Sequence, residues 1–187
     1  LDRNQIACCG IDLTAFKQLS AKDVSPMPDG FKKYDDQLYF HDHGVIDNKR
    51  FIVGFNPTLF AEDRKNRKEK IQFFETYLKN ENKDLKNAQR ERKRQATESR
   101  VVNELKRLKI KKYYEPPTLH PIVVERRLKN GTVKSVKSFK VQVKKKADII
   151  GAEKLLDGVC VFITNHIERK ARGFKVNAGK VIRAYRD

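Results

Sequence analysis

Apolar residues between positions 36 and 55 stand in two short runs, Leu38-Tyr39-Phe40 and Phe51-Ile52-Val53-Gly54-Phe55. Residues of these kinds favour strands. Gly44 to Asn48 supplies a turn-rich connection, so the segment is predicted to be a β-hairpin. Asn56-Pro57 then starts a helix. Asn is a good N-cap, and Pro at the first helical position gives up an amide that would lack a partner anyway. Glu62 and Asp63 suit the positive end of the helix dipole. Ile71, Leu78 and Leu85 recur every seven residues, with Phe74 and Ala88 on the same side. That seam passes through Asn80-Glu81-Asn82. It favours one helix from Pro57 to about Lys93, with a turn at Asn80–Asn82 as the alternative.

Between Phe60 and Ile71 only Ala61 is apolar. A helix charged all round projects into solvent or lies along a polyanion. The run Arg90-Glu91-Arg92-Lys93-Arg94 is similar. Thr97 or Ser99 is then expected to cap a second helix with Val101, Val102, Leu105 and Leu108 as its apolar face, ending in Lys109, Lys111 and Lys112. Pro116 and Pro117 close this part.

Residues 121–145 read as a second hairpin turned at Asn130-Gly131, the residues a type I′ turn wants at its two positive-φ centres. Pairing Lys129 with Thr132 places Leu128 opposite Val133 and Ile122 opposite Phe139. Phe139, Val141 and Val143 alternate with Lys140, Gln142 and Lys144, which predicts one apolar and one basic face. A short helix near Ala147–Leu156 follows. Gly158 to Thr164 is apolar on both faces, the pattern of a strand buried on both sides. After a polar loop, Val181, Ile182 and Tyr185 stand at helical spacing, so a helix begins near Asn177 or Ala178. Residues 1–33 look irregular, broken by Pro26, Pro28 and Gly30, with at most a turn or two of helix at Leu13, Phe16 and Leu19. The class is α+β, in three segments: an irregular 1–33, a basic 34–146 (hairpin, long helix, helix, hairpin), and 147–187 as part of a layered core.

Charge sharpens this picture. The chain of 187 residues carries 42 Lys+Arg against 24 Asp+Glu, a net of +18. The excess is regional. Residues 62–112 hold 18 Lys/Arg and 9 Asp/Glu, and residues 121–146 hold 9 Lys/Arg and one acid, Glu125. Such a footprint points to nucleic acid before membrane or acidic protein. Cationic side chains displace condensed counterions from phosphates, whatever the base sequence. The competing reading is a solvated helix with ion pairs such as Lys65 with Glu69 or Glu91 with Arg94. It suffices for any single lysine. It does not suffice for the second hairpin, with one acid among ten charges. The residues read as DNA contacts are Arg64, Lys65, Arg67, Lys68, Arg92, Lys93 and Arg94 in the helical part, and Lys134, Lys137, Lys140 and Lys144 in the hairpin.

Other chemistry is sparse. No apolar stretch approaches a membrane span and no signal peptide is visible. The chain opens on Leu1 rather than Met, so an upstream part is expected. Cys8, Cys9 and Cys160 fit a reduced cytosolic compartment and have no zinc spacing. His41 and His43 fall on one strand face without a third ligand nearby in sequence. Asp2, Asp35, Asp36, Asp157 and Asp187 are candidate metal carboxylates, but Asp157-Gly158 reads better as a turn and Asp35-Asp36 as a strand approach. The chain has no P-loop, nucleophile elbow, HExxH or GxGxxG.

The order of segments resembles a group of bacterial insertion-sequence DDE transposases. The residues that carry the likeness are Tyr34-Asp35-Asp36-Gln37-Leu38-Tyr39-Phe40, Lys49-Arg50-Phe51-Ile52-Val53-Gly54-Phe55-Asn56-Pro57, Glu62-Asp63-Arg64-Lys65-Asn66-Arg67, Glu104-Leu105-Lys106-Arg107-Leu108-Lys109, Leu155-Leu156-Asp157-Gly158-Val159 with Thr164-Asn165, and Ala184-Tyr185-Arg186-Asp187. They cover nearly the whole chain and are specific in combination, not singly. The resemblance implies an RNase H-like core in which two aspartates and one glutamate hold two Mg²⁺ or Mn²⁺ ions for in-line attack on DNA phosphodiesters. It also implies a long insertion before the glutamate, self-association in a transposition complex, and a YREK-type signature to which Tyr185 and Arg186 correspond. The glutamate would follow two helical turns after Tyr185, past residue 187. Asp2-Arg3-Asn4 lacks the glycine found around the family's second aspartate and is not assigned as catalytic. The expectation is therefore a fragment with 34–146 as the insertion region, no catalytic residue, no cofactor and no nuclease activity of its own, working on DNA in the bacterial cytoplasm beside the nucleoid. The reading from another class is a non-catalytic basic nucleic-acid-binding module of ribosome-associated or nucleoid type. The unfinished last helix and the isolated buried strand favour the transposase.

Overall fold

A computed structural model describes residues 30–171 and 173–187. The segment 1–29, with Asp2, Cys8, Cys9 and the helical turn expected at Leu13, Phe16 and Leu19, lies outside the described residues. The fold is α+β, as expected. Its elements are β1 (Lys32–Lys33), β2 (Tyr39–Ile46), β3 (Lys49–Phe55), α1 (Pro57–Lys86), α2 (Arg94–Arg107), a single 3-10 turn (Lys111–Tyr113), β4 (Thr118–Arg127), β5 (Val133–Gln142), α3 (Ala147–Lys154), β6 (Val159–Thr164), β7 (Arg169–Lys170), β8 (Gly173–Phe174) and α4 (Ala178–Arg186). Two compact units divide them. Of the described residues, one holds 30–65 with those from Ala152 to Asp187, and the other is Asn66–Gly151. The boundaries read from sequence, after residues 33 and 146, do not coincide with these, because the first hairpin pairs with β6 and joins its unit.

The first unit is built on a four-stranded antiparallel sheet in the order β1-β2-β3-β6. The first hairpin turns at Asp47-Asn48, both at positive φ (49° and 59°), the backbone of a two-residue type I′ turn. The strand buried on both faces is β3, where Phe51, Ile52, Val53 and Phe55 are all buried. This corrects the reading of 159–164. Strand β6 ends the sheet and is half-buried along its whole length. The two runs are alike in their apolar composition. Position in the sheet is decided by pairing partners. Gly54 is needed where β3 meets β6: a Cβ there would lie 2.5 Å from Cys160 Sγ and 3.1 Å from a Leu38 methyl. Leu38, Ile52, Ala178, Val181 and Ile182 form the core under α4. At the start of α1, Asn56 caps as expected: its Oδ1 accepts from Leu59 N at 3.0 Å.

The second unit joins α2 and the part of α1 from residue 66 onward to the β4–β5 ribbon. Helix α1 runs unbroken through Asn80–Asn82, as the seven-residue seam requires. It stops at Lys86, not near Lys93. The reason lies in Arg92, whose amide donates to Lys137 O at 3.1 Å on the outer edge of β5 and so cannot remain helical. Helix α2 accordingly begins at Arg94 with no side-chain cap. Thr97, expected as a cap, is buried inside it, and its hydroxyl donates to Lys93 O at 3.1 Å. The helix ends in a left-handed residue, Lys109 (φ 58°), with Ile110 N donating to Leu105 O at 3.0 Å. The residues flanking this cap, Leu105 and Ile110, are both buried in the core, as this motif favours. That core also contains Phe74, Leu85, Val101, Tyr113, Tyr114, Leu119 and Val141.

The ribbon register differs by one residue from the sequence expectation. Ile122 faces Ser138, Pro121 faces Phe139, and Arg127 faces Val133. Gly131 N donates to Leu128 O at 2.9 Å and Leu128 N to Thr132 O at 2.8 Å. Gly131 alone in this loop has positive φ (81°). The connection is a three-residue loop closed by a glycine bulge, so Asn130-Gly131 marks a turn but not a type I′ turn. A one-residue slip moves a whole side-chain set relative to its partner strand.

Two outcomes test this packing. The Asn82 side chain accepts from Val141 N at 2.8 Å and donates to Val141 O at 2.9 Å, so Asn82→Ala should cost about 2–3 kcal/mol in chemical denaturation. Val141 amide exchange should accelerate with it. Tyr114 is buried with an oxygen that meets no hydrogen-bonding partner among the described residues, and burial pushes its pKa up to about 12. Tyr114→Phe should therefore be neutral or stabilising, by up to about 1 kcal/mol. Because the folded value lies above the ordinary one, this group leaves stability independent of pH below ~10 and lowers it as pH rises towards ~12, where the unfolded chain ionises first. A spectrophotometric titration should find one tyrosine ionising late.

Candidate nucleic-acid interface

The β4–β5 ribbon is anchored at one end and open at the other. At the base, Leu119, Val141 and the half-buried Phe139 enter the core. On the opposite face Val136 and Ser138 are buried, and Ser138 Oγ donates to Leu85 O at 2.7 Å. This adds a donor to one of the last carbonyls of α1, which the Ala88 amide also meets at 3.3 Å. Towards the tip every residue from Arg127 to Ser135 is exposed.

The four hairpin lysines expected to touch DNA are all exposed, but they do not share a face. Lys134 and Lys140 lie opposite Arg126 and His120 on one face. Lys137 lies opposite Val123 on the other face, and Lys144 lies past the end of β5. The division into an apolar and a basic face is thus corrected. Each face carries both kinds of residue, and Val136 and Ser138 bury the middle of the face expected to be basic. Sequence reading missed Arg126 and Arg127, just before the loop, and Lys129 within it. Their charge was counted, but the shifted register concealed their places.

The helical candidates divide as well. In the first unit the Arg64 guanidinium lies 3.5 Å from buried Asp157 and 4.1 Å above the Phe60 ring. Its charge is thus paired with a buried carboxylate rather than left to the surface. Lys65 is exposed. In the second unit Arg67 is half-buried and Lys68 exposed. Arg92, Lys93 and Arg94 occupy the link into α2. An open cavity of about 560 Å³ beside this link is lined by Arg90, Arg92 and Arg100 with Glu81 and Asp84. Arg100 is paired to Glu81 at 2.7 Å. The first turn of α2 carries no acid, so its free amides and the surrounding cations would favour an anion there.

The two residues expected to belong to a YREK-type signature, Tyr185 and Arg186, tie α4 to the rest of the first unit. Tyr185 Oη donates to Ile163 O at 2.5 Å, and its ring meets Phe162 edge-on at 5.6 Å. Arg186 pairs with Asp35 and lies 5.9 Å from the Tyr34 ring centre. Asp42 takes both Nε (3.1 Å) and Nη2 (2.5 Å) of Arg50, a buried guanidinium that sequence reading did not single out. His41 and His43 meet edge to face at 6.1 Å. Among the described residues no three His, Cys, Asp or Glu side chains are grouped to hold a metal ion. No described helix is long and apolar enough to cross a membrane. No family model matches the chain, and neither a curated protein nor a solved structure matches it.

The Asp35 carboxyl titrates below its ordinary 3.8, first because it accepts from the Gln37 amide and next because Arg186 bonds it. A lowered folded pKa adds stability above the ordinary value and loses it as pH falls through the folded one. Asp35→Asn keeps the oxygen that accepts from Gln37 N and Leu38 N but removes the charge. It should lower the melting temperature at neutral pH, and the gap from the parent should close as pH drops below ~4. An equal gap at all pH values would show that Arg186 does not use this charge.

Proposed function

We propose that this chain is the DNA-holding insertion region, with an edge of the RNase H-like core, of an insertion-sequence DDE transposase. The observation that carries the proposal is the β4–β5 ribbon. A strongly cationic two-stranded arm, with nine Lys/Arg and one acid over 121–146, stands on a firmly bonded base and exposes its outer half. Lysine and arginine on such an arm neutralise phosphates and gain affinity by counterion release. The link residues Arg92, Lys93 and Arg94 would extend the same polyanion track within the second unit. The segment order quoted above supports the transposase assignment, and with it a nucleoid-associated location.

Chemistry on DNA would require two divalent ions, Mg²⁺ or Mn²⁺, held by carboxylates. The described residues do not fit that demand: no suitable donor group is assembled, and α4 carries no carboxylate from Ala178 to Arg186. The contribution of these residues is therefore to bind and orient DNA. Tyr185 and Arg186 act by fixing α4 to the sheet.

Duplex DNA should bind in low salt with weak sequence preference. With about six phosphates neutralised, affinity should fall roughly a thousandfold between about 50 and 200 mM salt. Charge reversal at Lys134, Lys137, Lys140 and Lys144 together should weaken binding by more than about tenfold on every sequence. Fluorescence anisotropy measures both. Binding that ignores salt, or that survives the four reversals, would remove the ribbon from the contact surface.

A further inference from the structure

The outer half of the ribbon has a face that phosphate contact alone does not explain. Val123 is 67% exposed and Val133 59% exposed, on strands that could place polar residues there at no cost. The observed register puts Val123 directly across from Lys137, and Val133 directly across from Arg127. Directly opposed residues share a face. Each exposed valine is thus paired with a cation, and Leu128, 45% exposed, stands at the loop. The same face begins in the core with Leu119, Phe139 and Val141 and continues outward into solvent.

Resting on the nucleic-acid reading above, we propose that this mixed face enters the major groove of duplex DNA, with Val123 and Val133 against thymine methyl groups and Lys137 and Arg127 on the flanking phosphates. Three features fit that occupant. The B-form major groove admits a two-stranded ribbon, and the thymine methyl is an apolar contact offered there. The cations of this face, Lys137 and Arg127, with Lys129 in the loop, outnumber its one acid, Glu125, which lies across from Ser135, and they complement the phosphate walls. A β-ribbon supplies alternate side chains on one face, so apolar and basic groups can be set down together. An A-form RNA duplex is a poor fit, because its major groove is too deep and narrow for side chains to read.

The test compares A·T-rich DNA duplexes made with thymine or with uracil, which differ only by the C5 methyl. The full 187-residue chain is titrated in low salt. The thymine duplex should bind about fourfold tighter for each methyl buried. The double variant Val123→Ser, Val133→Ser changes exposed positions, and its fold is checked by circular dichroism. It should lose the thymine preference but keep salt-dependent binding. Equal affinity for the two DNA duplexes would overturn the inference while leaving charge-driven binding intact, and this comparison needs no variant. A preference that persists in the folded serine variant would overturn it too. So would binding of an RNA duplex as tight as the thymine duplex, which would favour the ribosome-associated class. Failure of every duplex to bind in low salt would sink the nucleic-acid reading itself, and the groove contact with it.

Discussion

The second unit depends on how the open edge of β5 is closed. An isolated two-stranded ribbon is at best marginally stable in water, and its unpaired edge invites other strands. Here the edge is taken over by groups that are not a strand. Asn82 meets both the amide and the carbonyl of Val141, as a neighbouring backbone would. The Arg92 amide meets Lys137 O, and Ser138 reaches back to Leu85 O. These bonds set where α1 must stop, since Arg92 cannot be both helical and on the edge. They also set which part of the ribbon is fixed: positions 136 to 142. Beyond them the two strands have only each other and solvent.

This arrangement bears on the charge. A cluster of cations raises the energy of the compact state through self-repulsion. The fold lessens that repulsion by committing particular residues. Arg64 is held by Asp157, Arg100 by Glu81, and Lys145 by Glu75. The hairpin beyond its base has only Glu125 to do the same. Its cations remain exposed at the loop end, where they are farthest from the packed core. Positive charge is therefore least compensated where the backbone is least covered.

Much of the fold was legible in the sequence because it rests on local rules. Asn56-Pro57 fixed a helix start, and the seven-residue seam carried α1 through Asn80–Asn82. Both hairpins and the final helix were visible as spacing. What escaped was decided by distant partners. Nothing near Lys93 announces that the amide of residue 92 will bond residue 137. The apolar runs at 51–55 and 159–164 look alike, and only pairing shows which is central. The candidate site was legible as charge but not as geometry. Composition located the cations in the hairpin, and the turn residues located its loop. The cross-strand partners depended on whether Asn130 or only Gly131 takes positive φ, a difference that Asn-Gly by itself does not declare.

That single residue of register decides which side chains the two strands set across from each other. In the expected register Val123 would face Ser138 and Val133 would face Leu128, so neither valine would have a cation directly across from it. In the observed register Val123 shares its face with Lys137, and Val133 shares its face with Arg127. A flat anionic surface would satisfy the cations and leave the valines wet. A bilayer interior would take the valines but charge heavily for the cations beside them. A surface with apolar patches at its floor and anions along both walls satisfies the two together. A B-form groove has that construction, with thymine methyls on the floor and phosphates on the rims. The loop bulge at Gly131, by shifting one strand against the other, is thus the feature that sets a cation directly across from each exposed valine.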